Sequence, residues 1–321
     1  MKNEALNHST YLWKDQEGWD SIKDMFELDD YPDKLKIGTC SWKYDSWKGL
    51  VYDQDKKYKA YDYLADYAKH FHTVEIDQWF WSLFPGAARL PNPQTVQHYA
   101  QDVPDDFRFT VKAPNSITLT HYYTKQPKGS ESFANQPNPH FLDTVLFEKF
   151  LEILEPMKSK LGPIMFQFEY LNKNKMPSLR TFLERLGEFF VQIPSGYPYA
   201  IEVRNPNYLK TDYFSFLKQY NIGTVLLEGY YMPPIDKVVA DNDVYTSDFL
   251  VIRLHGPDRE DIEAKTKGLW NQIIEPHDNS LRNTANIVQN SVARGFDTFV
   301  NFNNHYEGCA PLSIQRLVAL L

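Results

Sequence analysis

The chain has 321 residues, 42% of them hydrophobic, and a formal net charge of −8. That is enough apolar material for a large core, and the acidic balance, with no block of like charge, argues against a polyanion or an anionic membrane as the standing partner. Two cysteines, Cys40 and Cys309, supply neither a disulfide framework nor a zinc pattern, and no apolar run has the length of a signal core or a membrane span. A cytoplasmic protein is the expectation.

Residues 1–34 read as an N-terminal extension. Within them WDSIKDMFEL has the pattern of a short amphipathic helix, broken at Pro32. From residue 35 onward the chain alternates between two periods. Apolar and β-branched runs predict strands at 35–40, 73–77, 107–112, 163–168, 199–203, 223–227, 249–254 and 297–302. Helical spacing follows most of them, at 59–71, 92–100, 176–190, 211–223 and 280–295, with a last helix opening at Ala310-Pro311. Asn92-Pro93 and Gly295 supply start and stop signals. Eight strands separated by helices predict a single α/β domain over 35–321, a TIM (β/α)8 barrel; an open doubly wound sheet is the alternative. The segment 114–139, rich in Pro, Gly, Ser and Asn, is expected to be a mobile loop after the third strand.

The strands carry charge where a barrel interior should be apolar. Side chains alternate across a strand, so if Val74, Ile76, Phe109, Val111, Ile252 and Leu254 face the helices, Glu75, Asp77, Lys112, Arg253 and His255 face inward. The same rule turns Gln167, Glu202, Arg204, Asn301 and Asn303 inward. Most of these lie toward the strand C-terminal ends, where barrel enzymes keep their sites, and an unpaired buried charge costs several kcal/mol. The reading is a ligand site at that face, weighed against an inert ion network that closes the barrel.

The ordered segments IGTCSWKYDSWKG, HTVEID, FRFTVKAP, LGPIMFQF, YAIEVRNP, VIRLHG and FNNHYEGCAP resemble the domain-of-unknown-function 72 family, also called YecE-like, from about residue 37 to the C-terminus. The resemblance implies a TIM barrel without an established activity. It carries the family's signature polar positions onto Trp42, Glu75, Lys112, His121, Gln167, Glu202, Arg204, Arg253, His255, Asn303 and Asn304. Two departures stand out: Cys40-Ser41 precedes Trp42, where the family often has Ser-Gly, and Asp77-Gln78-Trp79-Phe80-Trp81 replaces its usual Asn-Ser-Thr-Phe-Tyr.

These residues support several chemistries. The first is an enzyme of hydrolase or lyase type acting by acid–base chemistry on a small phosphorylated or carboxylated substrate. Glu75, Glu202 and His255 would move protons and Lys112, Arg204 and Arg253 would neutralise charge. An anion nest at Gly308 and the helix start near Pro311 would assist. The second is glycoside-type hydrolysis by Glu75 and Glu202 between walls of Trp42, Trp47, Trp79 and Trp81. The third is a metal-dependent phosphodiesterase or isomerase drawing on Glu75, Asp77, Glu202, His121, His255 and His305, although no metal motif is present and Arg and Lys would repel a cation. The fourth is a non-catalytic barrel holding a small anion, or nucleic acid stacked on Trp79 and Trp81. No cofactor motif is found.

Overall fold

The computed structural model describes residues 32–321, so the helix expected at 19–28 lies outside the described residues. Eight parallel strands form one closed barrel: β1 (Leu35–Thr39), β2 (Thr73–Ile76), β3 (Arg108–Lys112), β4 (Leu161–Gln167), β5 (Tyr199–Glu202), β6 (Gly223–Gly229), β7 (Phe249–Gly256) and β8 (Asp297–Phe302). They neighbour one another in sequence order, and β8 closes on β1 with Gly38 opposite Asn301. The open doubly wound alternative is thereby set aside.

Helices cover the outside: α1 (Asp62–Tyr67), α2 (Pro93–Gln101), α3 (Thr144–Leu154), α4 (Leu179–Gln192), α5 (Thr211–Gln219), α6 (Ile235–Asp241), α7 (Asp278–Ala293) and α8 (Ala310–Val318). Their starts follow capping chemistry. The Asn92 side chain accepts from the Gln94 N–H at 2.8 Å, and Ser178 accepts from Thr181 at 3.1 Å. In α4 the apolar residues Phe182, Leu186 and Phe189 recur at helical spacing and are buried. Phe182 meets Phe168 edge-on at 4.9 Å, and Phe189 meets Phe166 at 5.6 Å. The outward strand residues are thus sealed by the helices, as the alternation requires.

Inside the barrel the lower layers are apolar. Met165, Ala200, Val225, Phe249, Val251 and Phe299 form a buried cluster of their own, from β4 to β8. This plug is ordinary barrel filling, and it confines the charged residues to the C-terminal end.

The two ends of the segment after β3, expected from composition to be a mobile loop, are tied down, while residues 123–137 are mostly exposed. Residues 115–120 are buried, and the Asn138 amide donates to the Ser116 and Leu119 carbonyls at 2.7 and 2.6 Å. A buried amide that satisfies two backbone acceptors pins both arms of the loop, and a reading based on Pro and Gly content cannot detect that. A short helix at Arg259–Thr266 between β7 and α7 was likewise not expected.

One glycine is dictated by strand approach. A Cβ on Gly38 would sit 1.7 Å from the Thr73 carbonyl oxygen on the neighbouring strand. We expect Gly38→Ala to destabilise the protein at or above the ~1–3 kcal/mol of ordinary overpacking, since the obstacle is backbone. Thermal denaturation checks this, and an unchanged melting temperature would contradict the β1–β2 register.

Candidate functional site

The charged positions converge, and Arg253 on β7 is their centre. It reaches across the barrel and donates from Nε and Nη2 to the two carboxylate oxygens of Glu75 on β2, each at 2.7 Å. Its Nη1 donates to Glu202 on β5 and, at 3.2 Å, to Oε1 of Gln167 on β4. Arg253, Glu75 and Glu202 are all fully buried. One guanidinium facing two carboxylates leaves one negative charge over, and Arg204, whose Nε donates to Glu202 at 3.0 Å, meets it. Burial alone would raise the Glu202 carboxyl, but Arg253 and Arg204 outweigh it and bring the pKa down to about 2.

This geometry bears directly on the roles expected from sequence. Glu202 is a fixed anion, unsuited to donating a proton, and Glu75 is held bidentate by the same arginine. The glycoside-type reading asks one of these carboxyls to be a protonated acid, and the shared arginine opposes that. The tryptophan walls also come apart. Trp47 is wholly buried, Trp42 packs edge-on against Tyr99 at 5.2 Å, and Trp79 stacks on the same Tyr99 at 5.8 Å. Trp81 alone of the four is exposed. Among the described residues no three His, Cys, Asp or Glu side chains are grouped as metal ligands, so the metal-dependent reading lacks a donor set there.

Other expected residues serve the loops. Asn304 accepts from the Ala310 N–H at 2.9 Å, and Asn303 accepts from the His305 N–H at 2.9 Å. The start of α8, expected as an anion nest, thus already has an internal acceptor. His121 is half-buried, with Nδ1 2.9 Å from the Thr120 hydroxyl, and among the described residues no hydrogen bond or ion pair joins it to the charged set. The recess beside β1 and β8, lined by Cys40, Tyr44, Asn303 and Asn304 among others, is too tight to admit a water molecule and includes neither Lys112 nor Arg204.

The surroundings of Tyr230, His255, Cys40, Asp77 and Lys112 become clear only in the structure. Tyr230, expected only as part of a rim loop, lies under the Arg204 guanidinium at 4.6 Å, and its hydroxyl is 3.1 Å from His255 Nδ1. The other ring nitrogen of His255 is 3.7 Å from Cys40 Sγ. Burial and the nearby Arg253, Arg204 and Lys112 push the His255 pKa well down, so the ring is neutral. Asp77, two residues beyond Glu75 on the same alternation, is half-buried, and burial with the Glu75 charge raises its pKa to about 6. Lys112 lies against the Phe80 ring at 4.1 Å, and burial with the Arg253 charge lowers its pKa. Strand alternation had already turned Asp77 inward beside Glu75, without the proton-exchange role; Tyr230 had no such signal.

Comparisons with known proteins agree with this architecture. Residues 36–321 match the family described as "Protein of unknown function DUF72". The UPF0759 protein YecE of Escherichia coli (strain K12) is 25% identical over 175 residues, 54% of this chain and 50% of that protein. The chain therefore spans about half the length of the curated relatives it matches. A DUF72 family protein from Thermotoga maritima MSB8 superposes with a TM-score of 0.60 at 22% identity, covering 89% of this chain and 98% of that one. One from Enterococcus faecalis V583 gives 0.58 at 20% identity, covering 89% and 96%. At such identities the likeness concerns the fold.

Replacing Arg253 by Met leaves two buried carboxylates without their partner. A loss of about 3–5 kcal/mol at neutral pH is expected. In the native protein the Glu202 contribution is present above its ordinary pKa of 4.5 and fades as pH falls toward about 2. In Arg253→Met acid instead relieves the buried charges, so the gap in melting temperature between the two proteins should narrow on acidification. A gap constant from pH 7 to pH 3 would contradict the ion-pair assignment.

Proposed function

This chain belongs to the DUF72 family, and we propose that it is an enzyme holding a small anionic substrate at the C-terminal mouth of its barrel. Lys112 and Arg204 are the binding cations and Asp77 is the group that exchanges protons. One observation carries the reading: these two cations keep donor capacity after the buried carboxylates have been neutralised. Among the described residues, Arg204 uses only Nε in a hydrogen bond, and its side chain remains 20% exposed. Lys112 Nζ has no hydrogen bond or ion pair there, only the Phe80 ring. A cation with unused donors at the end of a barrel favours a carboxylate or phosphate.

Proton transfer then falls to Asp77 rather than to Glu202. A carboxyl with a pKa of about 6 populates both protonation states near neutrality, as acid–base catalysis requires. Gln167 accepts from Arg253 through Oε1, and its amide nitrogen makes no hydrogen bond among the described residues, which suits it to orient the ligand. Tyr230, its hydroxyl on neutral His255, holds the stacked Arg204 in place from below. Chemistry of hydrolase or lyase kind suits this set.

Sulfate tests the binding half without titrating itself near neutrality. About 10 mM sulfate should raise the melting temperature of the native protein, and Lys112→Met or Arg204→Gln should remove most of the gain. No stabilisation of the native protein would sink the reading. Because ionised Asp77 repels an anion, sulfate should bind more tightly as pH falls through about 6, and Asp77→Asn should abolish that dependence.

A further inference from the structure

Five aromatic side chains are exposed among the described residues, and four of them lie on loops that follow barrel strands. Trp81 is 60% exposed on the loop after β2, Tyr123 38% after β3, Tyr170 51% after β4 and Tyr231 58% after β6. The fifth, Tyr61, packs against His98 on α2. The four at the mouth form two touching pairs. Trp81 and Tyr123 have ring centroids 6.2 Å apart, as do Tyr170 and Tyr231. Both Tyr123 and Tyr231 lie within electrostatic reach of Arg204, which follows β5 between them. Trp81 also meets Phe80 edge-on at 5.3 Å, and the Lys112 ammonium lies 4.1 Å from the centre of that same Phe80 ring.

Large exposed rings are costly on a surface unless something covers them. Inorganic phosphate or a short acyclic acid needs the cations but no aromatic arc. A ligand with a flat ring needs both. Resting on the anion site argued above, we propose that the natural ligand is a nucleoside monophosphate. Its phosphate sits on Lys112 and Arg204, and its base stacks on Trp81 with Tyr123 as the flanking ring. Base–aromatic stacking tolerates any base and is strongest on the largest π-surface, which here is Trp81. A polynucleotide fits less well, because the chain carries a net charge of −8 and phosphate-backbone binding needs a basic surface.

Calorimetric titration of the full chain with adenosine 5′-monophosphate, ribose 5-phosphate, adenosine and inorganic phosphate tests this. The monophosphate should bind at least about ten-fold more tightly than ribose 5-phosphate, the margin expected of one stacked base. Trp81→Ala, an exposed position, should erase that margin and leave phosphate binding unchanged; Arg204→Gln should weaken every phosphate-bearing ligand. Equal affinity for the two phosphates, or a margin that survives in Trp81→Ala, overturns the stacking while the anion site stands. Adenosine binding as tightly as its monophosphate, with Arg204→Gln indifferent, overturns the anion site and the monophosphate assignment with it. A single-stranded oligonucleotide binding far more tightly than the monophosphate would overturn the restriction to a monomer.

Discussion

A single guanidinium in the barrel axis organises everything above it. Arg253 ties β7 to β2, β4 and β5 through Glu75, Gln167 and Glu202, all buried. Such a network is not a bargain in stability, because taking three charges out of water costs as much as their attraction returns. Its effect is on placement. With both carboxylates spent on Arg253 and the residual charge met by the Arg204 Nε, Arg204 stays partly exposed and the buried Lys112 keeps no carboxylate partner among the described residues. The inert-network reading and the ligand-site reading therefore describe two levels of one structure.

The barrel was legible because period two and period 3.6 are local properties of the chain. The eight strands and the inward set fell where alternation put them, from Glu75 and Lys112 to His255. What alternation cannot supply is the partner of each inward group. Arg253 and Glu75 are 178 positions apart, and only closure of the barrel brings them into a bidentate pair. That pairing decides which acids are locked. Without it, Glu202 reads as a proton donor and Asp77 as an inward carboxylate without a proton-transfer role.

Aromatic residues were the least legible. Trp42, Trp47, Trp79 and Trp81 are alike in sequence terms, yet the first three pack inside and one faces out. The difference lies in tertiary partners such as Tyr99, whose ring takes both Trp42 and Trp79. Tyr230 follows the same logic in reverse. A turn tyrosine at φ +53° becomes the floor under Arg204 because Gly256, at φ +75°, lets β7 end against the next loop. The Tyr230 N–H bonds to the Gly256 carbonyl at 2.8 Å, which fixes that floor to the strand carrying His255.

The apolar plug of Met165, Ala200, Val225, Phe249, Val251 and Phe299 has a kinetic meaning. It stops the barrel like a cork at its base, so whatever enters at the top must also leave there. Arrival and departure then compete for a single doorway, and a long strand cannot be threaded through the cylinder and drawn out at the far side.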